Sequence, residues 1–404
     1  MISNSIYCSG SYKEIGKQEG RMLAKEISSN VKLFWEKLIQ LGYKKENLLK
    51  SIIKQEKLFT NAVLEEIEGI SKGSNQKFLD LLAYNVYHDL AFPEECTVMM
   101  AVGRASSTGS TIFLKNSDKV GSESYVGDNC FKNKEINVLL ALNPENGNNI
   151  IGVAAAGSTA LKMGLNDKGV ATGSNIARTK ELATKGIEKD TTQLKALDRG
   201  FLSRIGLEQS DDAIEAAQVV LPRLMSSPMS TPGNIHFADA DRAIIIEGSY
   251  HEIAAETIVD KVAARANRFQ LLSQLNRDDD LSSICRYTRC MELLNENEGK
   301  IDVDKMIEFS MDHVNGPGPN SICRHGDHFL KETSLSSAVM EINRENPEKS
   351  KISIALGKPC HAWRDKKANI TLSLDSKKKD IPEGFINGEI WKKYYTEEPF
   401  VKNV

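Results

Sequence analysis

Between Leu90 and Thr97 the chain changes its hydrophobic period, and that switch restricts the folds open to it. Before it, Ile15, Met22, Leu23, Ile27, Val31, Phe34, Trp35 and Leu38 recur at three- and four-residue steps, the stripe of amphipathic helix from Tyr12 to Leu41. Further helices are expected over Asn47–Leu58 and Asn61–Ser71, with Gly69 and Gly73 marking the breaks. Another is expected over Phe78–Leu90, apolar nearly all round and therefore buried, and Pro93 closes the block. After Cys96 the pattern has period two, in short β-branched runs: Thr97–Val102, Thr111–Lys115, Ile136–Leu142, Asn149–Ala155 and Gly169–Asn175. The turn signals SSTGS, NPENGNN and LNDKG punctuate them.

Helices are then expected over Thr192–Leu207 and Asp211–Leu221, and strands over Asn234–Ala238 and Arg242–Glu247 around an ADADR turn. Helix returns over 283–311, and strands over Ala338–Ile342, Lys351–Ala355 and Asn369–Leu374 close the chain. Strand blocks flanked by helix blocks imply two antiparallel sheets with helices outside, a layered α+β fold. Residues 1–95 would wrap, as a helical segment, a core built from 96–404. There is no internal repeat, low-complexity tract or long Gly/Ser linker.

Several function classes lose support. A net charge of −3 implies no polyanion partner, and Lys-rich stretches such as YKKENLLKSIIKQEK read as solvated helix faces rather than a nucleic-acid footprint. The first twenty residues hold no apolar signal core, and no run approaches about 18 apolar residues, which argues against secretion and membrane insertion. The seven cysteines (8, 96, 130, 285, 290, 323 and 360) are odd in number and scattered. Free thiols in a reducing, cytoplasmic setting are expected. Phosphate-loop, dinucleotide-loop, H-E-x-x-H and G-x-S-x-G motifs are missing. Cys323-Arg-His325-Gly-Asp-His328 has zinc-like spacing, with Cys360-His361 as a source of a fourth ligand. Arg324 inside that loop would repel a cation, so ordinary loop hydrogen bonds are the preferred reading, and no metal or cofactor is expected.

Cys96 is different, because it sits where helix gives way to strand. A thiol nucleophile needs a base, since a free cysteine titrates near about 8.5. The papain-type surroundings are absent, and the first histidine after Cys96 is His236. If the chain were cut before Cys96, the new α-amino group, with a reference pKa of about 7.7–8.0, would lie on the nucleophile itself and could take its proton at neutral pH.

Cys96-Thr97, the hairpin through Thr108-Gly109 and Asn116-Ser117-Asp118 resemble the start of the catalytic subunit of isopenicillin-N acyltransferase relatives, members of the N-terminal nucleophile (Ntn) hydrolase superfamily. The likeness continues at Asn234-Ile-His-Phe-Ala-Asp-Ala, Ile244-Ile-Ile-Glu247, Arg265-Ala-Asn267-Arg-Phe, Arg286-Tyr-Thr-Arg289, Ser321-Ile-Cys-Arg324 and Leu356-Gly-Lys-Pro-Cys360, in order over most of 75–374. The resemblance implies a four-layer αββα sandwich and a self-processing cysteine enzyme acting on linear amide bonds through a thioester. Cys96 would be the nucleophile and its own amine the base. Asp118 would orient them, Asn267 would donate to the oxyanion and Arg324 would stabilise the thiolate. Cleavage at Glu95/Cys96 would give chains 1–95 and 96–404 that stay together as a heterodimer, acting on a small-molecule acyl amide. Penicillin-biosynthetic members carry glycine where this chain has Glu95. Arg286 and Arg289, three apart on one helix face, read as structural or as partners of carboxylates, and Met99 and Met100 as core. The alternatives are a choloylglycine-hydrolase-like or aminoacyl-amine amidase on the same fold, a non-maturing Ntn-like binding protein, and a zinc hydrolase using His325 and His328.

Overall fold

The computed structural model describes residues 2–53, 59–92, 94–119, 135–185, 197–227, 229–316, 318–325 and 333–374. Its first element is a strand, β1 (Ile2–Gly10), where the sequence reading had placed only helix. Six helices follow: α1 (Tyr12–Met22), α2 (Ala24–Gln40), α3 (Lys45–Ile53), α4 (Asn61–Ser74), α5 (Phe78–Val86) and α6 (His88–Ala91). Ser11 and Glu14 form a reciprocal capping box that starts α1 immediately after β1. Gly69 and Gly73 do not break the chain as expected but lie inside α4, facing Gly16 and Gly20 of α1. A Cβ on Gly16 would overlap the Glu66 carbonyl and one on Gly69 the Lys13 carbonyl, so these glycines let two helix backbones touch.

Strands β2 (Glu94–Ala101) and β3 (Ile112–Lys119) form an antiparallel hairpin. β4 (Asn137–Pro144), β5 (Ile150–Ala155), β6 (Leu161–Asn166) and β7 (Ala171–Ile176) run on as a meander. Helices α7 (Lys180–Lys185), α8 (Arg199–Glu208) and α9 (Ala213–Ser226) lead to β8 (Gly233–Ala238), β9 (Arg242–Gly248), β10 (Ile253–Val259) and β11 (Val262–Arg265). Then come α10 (Leu281–Glu296), α11 (Val303–Ser310), β12 (Thr333–Glu341), β13 (Lys351–Leu356), α12 (Pro359–Ala362) and β14 (Asn369–Ser373). The start of the helix expected from Thr192, the end of the one expected to Leu58, and Pro93 lie outside the described residues.

The strands make two sheets, ordered β1-β4-β5-β6-β7-β8-β9-β10 and β11-β2-β3-β12-β13-β14. All neighbours are antiparallel except β1, which runs parallel to β4. Side-chain alternation sorts the sheets into layers. Val138, Leu140 and Leu142 pack outward on α1–α6, α8 and α9, whereas Leu139 and Ala141 face Val98, Met100 and Phe113 of the other sheet. On the far side, Met99, Ala101, Ile112 and Leu114 meet Cys290 and Leu294 of α10 and Met306 and Phe309 of α11. The order is helix, sheet, sheet, helix, an αββα sandwich, with Met99 and Met100 in separate cores. All six described cysteines are free thiols. Among the described residues, no helix is long and apolar enough to cross a membrane.

Candidate active site

The β2–β3 register places Cys96 opposite Ser117 and Glu95 opposite Asp118. On its other side β3 pairs with β12, where a register shift between Ser334 and Ser336 sets Ser334 against Asp118. Ser334 Oγ donates to Asp118 Oδ1 at 2.6 Å, and Asp118 Oδ2 lies 3.5 Å from Arg324 Nη1. Arg324 Nη1 also donates to Glu95 Oε2 at 2.6 Å, and the other Glu95 oxygen accepts from Arg178. From α10, Arg286 Nη1 donates to the Cys96 carbonyl at 3.1 Å and to Thr97 Oγ1 at 2.9 Å, while its Nη2 donates to Asn267 Oδ1 at 2.7 Å. Asn267 gives one amide hydrogen to the Ile176 carbonyl at 2.8 Å. Its loop is held by Glu247, whose carboxylate accepts from the backbone N–H groups of Gln270, Leu271 and Leu272.

Glu95, Cys96, Asp118, Asn267 and Arg324 therefore lie in one buried, hydrogen-bonded cluster. Arg286 belongs to it as well, fully buried and 4.0 Å from Asp118 Oδ2. The sequence reads Arg286 as structural or as a carboxylate partner, and it does lie beside a carboxylate, that of Asp118. Helical spacing linked it to Arg289, but Arg289 turns away to Asp312 at 2.9 Å. The only sequence signal for Arg286 was its place in a motif shared with the resembled family.

In the intact chain the thiol is not activated. Burial pushes Cys96 up to about 11; Lys115 opposes this, and the carboxylates of Glu94 and Asp118 add to it. Burial also raises the Asp118 carboxyl, although Arg324 and Arg286 hold it down. Burial and the charge of Arg324 lower Arg286 to about 10, which leaves it cationic at neutral pH. The junction is regular strand: among the described residues the non-glycine positive φ angles fall at Asn75 and Asp260, outside β2.

On the other side of the junction, Glu94 enters a second polar cluster. Lys162 Nζ lies 3.3 Å from Glu94 Oε2 and 2.8 Å from Glu135 Oε2, and Glu135 also bonds His88. Arg199 Nη2 lies 2.9 Å from Asp89 Oδ2. A small cleft opens here, lined by His88, Asp89, Glu94, Lys162, Asp198 and Arg199 among others. These residues come from distant parts of the chain and carried no sequence signal.

The zinc-like loop also differs from its expected form. His313, Cys323, His325 and Cys360 gather, with one ligand-type atom from each lying within 4.8 Å of all the others. His313 was not foreseen, His361 is not in the group, and His328 lies outside the described residues. Arg324 does not oppose a cation there, because its guanidinium is directed to Glu95 and Asp118.

Comparison with known proteins gives a match to the family described as Acyl-coenzyme A:6-aminopenicillanic acid acyl-transferase over residues 106–359. The match includes Asp118, Asn267, Arg286 and Arg324 and begins after Cys96. No curated protein matched. Among solved structures the chain is similar to penicillin V acylase from Agrobacterium tumefaciens at 10% identity and TM-score 0.36, over 65% of this chain and 83% of that one. It is similar to the Caenorhabditis elegans ortholog of N-acylethanolamine-hydrolyzing acid amidase at 15% identity and TM-score 0.38, over 69% and 100%. A mutant conjugated bile acid hydrolase from Clostridium perfringens aligns at 11% identity and TM-score 0.40, over 71% and 94%.

Proposed function

The chain belongs to the acyl-coenzyme A:6-aminopenicillanic acid acyl-transferase family, and on that premise we propose that it is a self-processing cysteine hydrolase or acyltransferase of linear amide bonds. In maturation, Cys96 Sγ attacks the Glu95 carbonyl carbon. The C–N bond breaks as the C–S bond forms, and the thiol proton goes to the released amine. Water then hydrolyses the thioester, leaving a Glu95 carboxylate and a Cys96 thiol that carries a free α-amine.

In turnover the amine takes the thiol proton and the thiolate attacks the substrate acyl carbon. The leaving amine departs protonated, and water or an acceptor amine resolves the thioester. Asp118 orients the amine and thiol. Asn267, with one amide hydrogen already committed to Ile176, offers the other to the oxyanion. Arg324 favours the thiolate. Arg286 holds the Cys96 carbonyl and the Asn267 side chain in one frame.

The observation that carries this reading is the junction itself. Asp118, Arg324 and Arg286 all converge on the Glu95–Cys96 dipeptide, and Arg286 ties Asn267 to it. An aminoacyl-amine or choloylglycine-type amidase would use the same groups on another substrate. The thiol pushed up to about 11 favours the non-maturing binding protein if the chain stays intact. Quenching the protein during turnover of a panel of acyl p-nitroanilides, then mapping adducts by mass spectrometry, separates these readings. The acyl mass is expected on the Cys96 peptide; turnover with the acyl group elsewhere, or none in processed protein, would contradict the proposal.

A further inference from the structure

Three segments of the smaller sheet's helical side meet at a point that the proposed chemistry does not use. The first is the end of α11, where Arg289 of α10 anchors Asp312 and sets the position of His313. The second is the return of the following loop, in which the Cys323 N–H donates to the Asp312 carbonyl at 3.1 Å. Asn116 of β3 fixes this loop from below, donating to the carbonyls of Ser310 at 2.9 Å and Ile322 at 3.1 Å. The third is α12, which opens at Pro359 and presents Cys360.

Their side chains converge. His325 Nε2 lies 3.1 Å from Cys360 Sγ and 3.7 Å from Cys323 Sγ. The His313 and His325 rings stand 4.9 Å apart at 75°, and His313 Nε2 is buried without a hydrogen-bond partner. Zinc bonds of about 2.3 Å to sulfur and 2.0–2.1 Å to nitrogen place the corners of a tetrahedron about 3.3–3.8 Å apart. The two His325–sulfur separations already fall near that geometry, and the four atoms, all within 4.8 Å of one another, would draw in by at most about 1 Å to complete it.

We propose that His313, Cys323, His325 and Cys360 form a closed four-coordinate site for zinc, a structural clip joining the α11–β12 loop to α12. Two thiolates and two neutral imidazoles cancel the charge of a divalent ion, so the neighbouring Arg324 feels no net repulsion. Four protein ligands leave no open position, and the ion does no chemistry on a substrate. The clip fixes the residues on either side of Arg324, whose N–H donates to Ser334 Oγ at 2.9 Å and whose guanidinium reaches Glu95 and Asp118. Only this last consequence rests on the catalytic reading; metal content is independent of it.

The test is elemental analysis of the full-length chain, purified without chelator or metal-affinity resin under reducing conditions. Titration of the metal-stripped chain with cobalt accompanies it. About one zinc per chain and the visible bands of tetrahedral thiolate-bound cobalt are expected. Cys323→Ser/Cys360→Ser should lose at least ten-fold in bound metal, while His361→Ala, outside the four, should keep it. If the double variant does not fold, the cobalt spectrum of the wild-type chain decides. A reduced wild-type chain that takes up neither metal would overturn the proposal, as would a Cys323–Cys360 disulfide or zinc retained in a folded double variant. A zinc-bound wild-type chain with no amide activity would count against the catalytic reading alone.

Discussion

Glu95 carries two ion pairs in the intact chain, one half-buried to Arg178 and one buried to Arg324, and thereby offsets cationic charge brought together from two distant segments. A carboxylate in this position ties the β2 junction to both guanidinium groups. Removing one partner from a buried pair costs about 3–5 kcal/mol. The lower end applies here, because Arg178 is about one-third exposed and Arg324 keeps Asp118. Glu95→Gln, made on a Cys96→Ala background so that processing does not intervene, is expected to destabilise the chain by about 3 kcal/mol in denaturant unfolding. An unchanged midpoint would contradict this account. At this scale the sequence was informative where partners are close along the chain: Cys96 and Asp118 lie on one hairpin. Arg286 was not legible, because its partner is a backbone carbonyl 190 residues away and no local pattern encodes such a contact.

Among the elements, β2 matters most, and its start was misplaced. The periodicity began the strand at Thr97, but pairing with β3 continues to Glu94 opposite Lys119. The Glu95–Cys96 bond therefore lies within a paired strand, not at a chain turn, because ladder hydrogen bonds extend a strand beyond its apolar run. Helix α6, just before it, carries a pH-sensitive contact. Burial alone would lower His88, but the carboxylates of Glu135 and Asp89 outweigh it and raise His88 to about 9. A group raised on folding stabilises fully below its ordinary value of 6.5, and that stabilisation fades as pH climbs through 9. The denaturation midpoint should thus fall between pH 6.5 and 9, and His88→Gln should flatten the fall. Asp198, raised to about 7 by burial and by Asp89, acts in the same direction mostly below this window. A midpoint with the same slope in wild type and His88→Gln would refute the assignment.

For the whole molecule, the four layers were legible because period-two and period-3.6 stretches each bury one face, and only two sheets between helices satisfy all of them. Strand β1 was not legible. It precedes a long helical stretch and gains its stability from a parallel neighbour, β4, far along the chain. Strands β6, β10 and β11 were not legible either; the edge strand β10, half exposed along much of its length, lacks a clean apolar alternation. β1 bears on the proposed processing: residues before Cys96 supply an edge strand of the larger sheet and six of the helices on its outer face. Two chains produced at this junction are expected to remain one particle until denatured. The most direct measurement is the intact mass of freshly purified wild-type and Cys96→Ala protein, under native and then denaturing conditions. Two wild-type chains are expected, one ending at Glu95 and one beginning at Cys96, seen as one native complex, with a single uncut chain for Cys96→Ala. A full-length chain in both proteins, or a cut at any other bond, would contradict the proposed processing.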